Sequence, residues 1–345
     1  MQINRFALIP IVLLFLAGLA SEASSAPELV FDRSSDTALF GQDATRLWHP
    51  ASLTKIMTAY VALKAVADGR LTLDSPVVMS AQALKAPPSR LGLPLGTRLR
   101  LEDALVVLAV KSANDVAIAV AEAVSGDVEK FVEEMNALSI NMGLQESFWR
   151  NPNGLHDPNQ VTSARDMALL VDKLLDQYPD AIRIFSTSGF ILNGQDTLSH
   201  NGLLGRYPGV NGFKTGYICS SGFNVVITAE RDGRSLIAVV LGGKSARTRD
   251  ARAAYLLEAG FSTPPSVIDL TMLTGDAQPV TDMRLSICGG ENSSASMDEG
   301  DANWEKMLQD MPRVLSPSIQ IHLLGDDDET EVGFSGNDAI HPRRF

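Results

Sequence analysis

Cysteine is almost absent from the 345 residues: only Cys219 and Cys288 occur. One pair cannot form the dense disulfide framework of a small secreted domain, so the fold must be held by a hydrophobic core. An oxidising compartment would permit a bridge, but the two lie in segments of different character. The preferred reading is two separate, small, buried thiols. A basic face is missing too: acidic residues outnumber basic ones 41 to 29, which leaves no electrostatic footprint for nucleic acid. His49, His156 and His322 lack ligand spacing and a matched carboxylate partner, so neither a metal site nor a Ser-His-Asp triad is expected. No internal repeat occurs, and nothing in the composition suggests collagen, a coiled coil or a mainly disordered chain.

Only one stretch suits a membrane-directed role. Arg5 is followed by an apolar run from Phe6 to Leu19, broken by Pro10, and then by small residues. This reads as a secretory signal over residues 1–26, cut after Ser21-Glu22-Ala23 or Ser24-Ser25-Ala26; Pro27 disfavours the second site. The run is short for a bilayer span, so no membrane anchor is expected after cleavage. An exported, periplasmic protein follows.

Charge divides the remainder. Residues 27–262 are nearly balanced, with 25 acidic and 23 basic side chains, whereas 263–345 carry 15 against 5. The second segment includes a Ser/Gly/Asn/Asp-rich run, Gly289–Asp301, and an acidic run, Asp326–Glu331. Such composition buries too little apolar surface to offset ordering entropy. It is read as a largely disordered tail with one short strand near Ile319–Leu324.

Within 27–262 the patterning is α+β. Glu28–Asp32 and Thr37–Phe40 flank a turn and read as a hairpin. Leu53–Ala67 is apolar nearly all round, the mark of a buried central helix. Helices also fit Glu102–Val110, Asp115–Val124, Val128–Asn141, Ala164–Gln177 and Arg247–Ala259. Strands fit Phe190–Leu192, Gly212–Ile218, Phe223–Ala229 and Leu236–Leu241, with Asp232-Gly233 as a hairpin turn. Strands at both ends with helices between them imply one sheet completed by distant pieces.

Three short patterns carry the chemistry. In Ser52-Leu53-Thr54-Lys55, helical spacing puts hydroxyl and amine on one face. Serine is a poor nucleophile until a base takes its proton, and Lys55 is placed to do so. Its pKa must fall from about 10.4 towards about 7–8, roughly 4 kcal/mol of differential stabilisation. Burial and a second cation are two means to that end. Alone the pattern is weak, since average usage gives about one Ser-x-x-Lys in such a chain. Ser112-Ala113-Asn114 is weaker still, for the spacing recurs at Ser139, Ser199 and Ser335. Its setting between two helices favours it: Ser112 could relay a proton, and Asn114 could bind a substrate amide or orient Lys55. Lys214-Thr215-Gly216 is the most specific, with about 0.1 chance occurrences expected. Lying on a strand, it offers Lys214 as the second cation and Gly216 as a place where a substrate backbone could approach closely.

Together, in this order and 60 and 102 residues apart, the three match the motif set of penicillin-binding proteins and class A β-lactamases. With His49-Pro-Ala-Ser-Leu-Thr-Lys-Ile-Met-Thr, Asn151-Pro-Asn-Gly-Leu, Asn201-Gly-Leu-Leu and Gly212-Phe-Lys-Thr-Gly-Tyr, the chain resembles the D-alanyl-D-alanine carboxypeptidases from about Pro27 to Phe261. The resemblance implies a β-lactamase/transpeptidase-like fold, a five-stranded antiparallel sheet covered by helices plus an all-helical lobe. It implies removal of the terminal D-alanine from peptidoglycan stem peptides through a Ser52 acyl-enzyme. β-Lactam antibiotics would be covalent inhibitors, and no metal or organic cofactor is needed. The oxyanion hole would be the N–H groups of Ser52 and Tyr217. Arg249, with Arg247 as rival, would help hold the substrate carboxylate. A DD-endopeptidase and a catalytically inactive wall-binding relative are the alternative readings.

Three departures from the family stand out. His200 replaces a familiar arginine. The acidic tail resembles neither the β-rich second domain nor the basic membrane helix of many relatives. Glu146 lies where class A β-lactamases hold a deacylating glutamate, and is read as a solvated surface carboxylate.

Overall fold

A computed structural model describes residues 26–275, 280–289 and 299–325. The expected signal segment up to residue 25 lies outside the described residues.

Along the chain, β1 (Glu28–Asp32) and β2 (Thr37–Gln42) form a hairpin. A single 3₁₀ turn, Ala51–Leu53, then leads into α1 (Thr54–Ala67). The helical lobe comprises β3 (Pro76–Val78), β4 (Arg98–Arg100), α2 (Leu101–Val110), α3 (Asn114–Ser125), α4 (Val128–Met142), α5 (Ala164–Gln177) and α6 (Ala181–Phe185). The chain returns through β5 (Gly189–Leu192), β6 (Gln195–Leu198), β7 (Val210–Ile218), β8 (Gly222–Arg231), β9 (Arg234–Gly243) and α7 (Ala246–Ser262). Beyond these come α8 (Arg284–Cys288), α9 (Glu299–Asp310), β10 (Ile319–Gln320) and β11 (Leu323–Leu324).

The main sheet is antiparallel with strand order β2-β1-β9-β8-β7, so the first hairpin completes what the last three strands begin. Period-two alternation explains why it is covered on both faces. Val225, Ile227 and Ala229 of β8, with Leu236, Ala238 and Val240 of β9, pack against Ala251, Ala254 and Leu257 of α7. Val226, Ile237, Val239 and Leu241 point the other way, into the larger core shared with α1. Each such side chain contributes about 1.5–3 kcal/mol on full burial. α1 has eleven buried residues of fourteen, as an apolar helix without a polar face requires. β7, the far edge of this sheet, is left facing the helical lobe.

The tail departs from what its composition suggests. α9 lays Leu308 and Trp304 on the α7 side of the sheet, and Arg247 reaches Glu305 at 3.3 Å. β10 pairs parallel to β5, and β11 pairs antiparallel to β4. These pieces cannot fold alone, but an existing body supplies the partner surface. The low-complexity run 290–298 and the acidic end 326–345 lie outside the described residues.

Cys219 and Cys288 are not separate thiols. They form a disulfide, with Cα atoms 5.8 Å apart. Met283 N donates to Ser220 O at 3.1 Å, docking the segment before α8 on the β7–β8 turn and bringing the exposed Cys288 to Cys219. Sparse spacing in sequence carries no information on such a contact.

Candidate active site

Ser52 sits in the 3₁₀ turn, where several groups fix the backbone. Ala51 adopts a positive φ of 49°. Thr54 Oγ1 donates to Ala51 O at 2.8 Å, closing the turn. Asn224 Nδ2 of β8 donates to His49 O at 3.0 Å and Pro50 O at 3.3 Å. Two glycines let neighbours close on the turn. A Cβ on Gly154 would stand 1.9 Å from Ala51 O, and one on Gly216 would stand 3.0 Å from Ser52 N. Gly216 is thus required for the approach of β7 to the Ser52 turn, where the sequence suggests room for a substrate backbone.

One helical step on, Lys55 is fully buried. Its Nζ is 3.1 Å from Ser52 Oγ and donates to Asn114 Oδ1 at 2.8 Å and to Asn153 O. Asn114 Nδ2 donates to Pro87 O at 3.0 Å, which fixes the side-chain amide with its oxygen towards the lysine. Asn114 Oδ1 and Asn153 O can only accept. A neutral amine therefore spends its two N–H groups on them and turns its lone pair to the Ser52 hydroxyl, which can donate. Burial, and after it the nearby Lys214, lower the Lys55 pKa well below its ordinary value, against a smaller opposing effect of Asp115.

Ser112 closes the site from the helical side with a positive φ of 60°. Its Oγ accepts from Lys214 Nζ at 3.1 Å, and Lys214 also donates to Thr215 O at 2.8 Å. Lys214 is pushed down to about 7, first by burial and then by the Arg249 cation. A cleft of about 460 Å³ opens above these groups, and Ser52, Ser112, Asn114, Thr215, Gly216 and Arg249 reach its wall. Tyr217 lines it as well, half exposed. The nine sequence-selected residues therefore meet in one place, with Lys55 and Lys214 beneath the surface. Arg247, the rival of Arg249, points to α9 instead, its side chain 74% exposed.

One residue escapes sequence reasoning, and another is marked there only as a departure from the resembled family. Asn153 acts on Lys55 through its carbonyl, and no side-chain pattern reports a carbonyl's direction. His200 lines the cleft; although exposed there, its pKa is lowered by partial desolvation and then by Lys214, Lys111 and Arg249. Glu146 is not a solvated carboxylate. It meets the buried Arg165 at 3.0 Å, and its pKa rises to about 7, first by burial and then by the charge of Asp166. It does not reach the cleft wall.

Comparisons with known proteins bear on the family and the fold. The family model described as D-alanyl-D-alanine carboxypeptidase matches residues 17–245. A D-alanyl-D-alanine carboxypeptidase of Bacillus subtilis is 31% identical over 71% of this chain and 63% of its own length. One of Haemophilus influenzae is 34% identical over 68% of this chain and 61% of its own. The chain thus spans less than two thirds of these curated relatives. Among solved structures, penicillin binding protein 5 from Haemophilus influenzae superposes with a TM-score of 0.67 at 33% identity, covering 69% of this chain and 71% of that one. Penicillin-binding protein D2 from Listeria monocytogenes, in a cefotaxime-bound form, gives 0.63 at 28% identity, covering 69% and 97%.

Proposed function

The chain belongs to the D-alanyl-D-alanine carboxypeptidase family, and on that footing we propose that it is an exported, periplasmic serine DD-carboxypeptidase, sensitive to β-lactams, that trims the terminal D-alanine from peptidoglycan stem pentapeptides. One observation carries the reading: a buried amine with a lowered pKa lies 3.1 Å from the Ser52 hydroxyl, and its other two hydrogen bonds go to pure acceptors.

Lys55 takes the Ser52 proton as Oγ attacks the carbonyl carbon of the penultimate D-alanine. The negative charge formed on that oxygen is received by the N–H groups of Ser52 and Tyr217. The C–N bond breaks as the leaving amine gains a proton, delivered from Lys55 directly or through Ser112, and D-alanine departs. Water then attacks the Ser52 ester, returning the proton to Oγ and releasing the shortened peptide. Lys214, Thr215 and Arg249 hold the terminal carboxylate, and Asn114 both orients Lys55 and can meet the substrate amide. The peptide lies along the exposed edge of β7 as an added strand.

The test is release of D-alanine from diacetyl-Lys-D-Ala-D-Ala, with and without penicillin. Penicillin-blocked release is expected, together with loss of fluorescent-penicillin labelling in Ser52→Ala. Labelled Ser52→Ala protein would refute this nucleophile. Sacculi losing cross-linked dimers rather than pentapeptides would move the assignment to an endopeptidase.

A further inference from the structure

The Ser199–Gly205 turn leads from β6 towards β7 and puts His200 on the cleft wall that also carries Arg249. Its local hydrogen bonds run from Asn201 N to Ser199 Oγ at 3.3 Å, from Leu203 N to Asn201 Oδ1 at 3.1 Å and from Ser199 N to Ser188 O at 2.8 Å, while Leu203 O accepts from Arg206 N at 3.0 Å and Tyr207 N at 2.9 Å. The carbonyls of Ser199, Asn201 and Leu204 are held from the tail. Arg313 Nε donates to Leu204 O at 3.1 Å, and one Nη group donates to Asn201 O at 2.6 Å and Ser199 O at 3.3 Å. Next to it, Val314 N donates to Gly205 O at 2.7 Å. A Cβ on Gly205 would stand 2.3 Å from Val314 O, so the two backbones touch.

The other side of the turn rests on α7. A Cβ on Gly202 would stand 2.1 Å from Asp250 Oδ2. Asp250 Oδ1 accepts from Arg249 at 2.9 Å through Nε and at 2.7 Å through Nη. The turn is therefore clamped between Arg313 and the Asp250–Arg249 pair. A surface arginine usually offers its N–H groups to water or to one carboxylate. This one is partly buried and spends them on three carbonyls of one turn, and a planar, rigid fork of donors fixes three backbone points at once. α9, docked by Leu308 and by Trp304 against Tyr207, carries Arg313 there.

We propose that Arg313 is a positioning residue for substrate binding: by pinning the Ser199–Gly205 turn against Asp250, it fixes His200 and Arg249 at the end of the cleft that receives the substrate's terminal carboxylate. The inference rests on the carboxypeptidase reading above and assigns to the tail a part in the site.

The test uses the full chain with Arg313→Ala, and with Arg313→Lys, whose single ammonium cannot span three carbonyls. In Arg313→Ala the KM for diacetyl-Lys-D-Ala-D-Ala should rise about tenfold, as a slight misplacement of binding groups can cause, with kcat held within about twofold. The preference for benzylpenicillin over its methyl ester should shrink, because only the acid uses the carboxylate end. The His200 ring resonance should titrate nearer the ordinary imidazole value as the turn loosens. Arg313→Lys should fall between wild type and Arg313→Ala. An unchanged KM with an unchanged His200 titration overturns the proposal. So does an equal loss for acid and ester that merely follows a lowered melting temperature. Wild-type protein that neither releases D-alanine nor takes up penicillin sinks the carboxypeptidase reading instead; the His200 resonance then still decides whether Arg313 sets the turn.

Discussion

Gly216 of β7 faces the backbone nitrogen of Ser52, so near that a Cβ there would stand 3.0 Å from that nitrogen and 3.0 Å from Pro50 O. The strand and the Ser52 turn are in contact there. Gly216→Ala should push them apart by a few tenths of an ångström. Overpacking of this kind costs about 1–3 kcal/mol of stability, and the misplaced donor should slow acylation by about tenfold or more. Stopped-flow labelling with a fluorescent penicillin, beside a thermal melt, checks both. Unchanged acylation would mean that β7 does not set the turn.

The Cys219–Cys288 bridge closes a separation of 69 residues and ties α8 to the β7–β8 turn, next to Tyr217. Removing a bridge costs about 2–4 kcal/mol when it chiefly restrains the unfolded chain. Reductant, or paired Cys219→Ser and Cys288→Ser substitutions, should therefore lower the melting temperature by several degrees. A melt that is the same with and without reductant would show that the bridge does not restrain unfolding.

The main sheet, α1 and the three motif elements are legible in the sequence because each has a local signature. Val225–Ala229 is a short apolar, β-branched run, Leu53–Ala67 has no polar face, and Lys214-Thr215-Gly216 is rare. What stays hidden is contact between distant pieces. Trp304, Met307, Leu308 and Met311 keep the i, i+3, i+4, i+7 spacing of an amphipathic helix, but that spacing does not say which surface the helix covers, and nothing local announces that Arg313 finds the carbonyls of Ser199, Asn201 and Leu204. Composition tells whether a segment can build a core of its own, and this one cannot; it does not tell whether a ready-made surface awaits it. Glu146 was hidden for the same reason, since its burial is supplied by Arg165 and Asp166, about twenty places further on.

Glu146 makes a stability prediction with a definite sign. Its carboxyl is raised from 4.5 to about 7 in the folded protein. The folded state thus holds a proton that the unfolded chain has already lost between those values, so stability falls as pH rises through that window. Glu146→Gln mimics the protonated form and can still accept from Arg165 and Ser163 while donating to Asp166. Urea titrations from pH 4.5 to 7 should show the decline in wild type and its loss in the variant. A decline of equal slope in both would assign it to another group.

Lys214 has the opposite sign, and it reaches the chemistry through Lys55. Its folded pKa is lowered from 10.5 to about 7, so the unfolded chain binds the extra proton between these values. Stability from this group is complete above the unfolded pKa and is lost as pH falls through about 7. Lys214→Met keeps the bulk and removes the charge, which should flatten the rise in stability on the alkaline side. The same change removes the cation that helps to lower the Lys55 pKa, although burial, the larger cause, remains. Lys55 then loses its proton at a higher pH, and the acid limb of saturating acylation against pH moves in the alkaline direction. At neutral pH the rate drops by some part of the ~10²–10⁴ that a positioned base supplies. Following acylation at saturating penicillin keeps weakened carboxylate binding out of the measurement. If the acid limb stays in place while only the saturating concentration rises, Lys214 serves the substrate's carboxylate and leaves the basicity of Lys55 to burial alone.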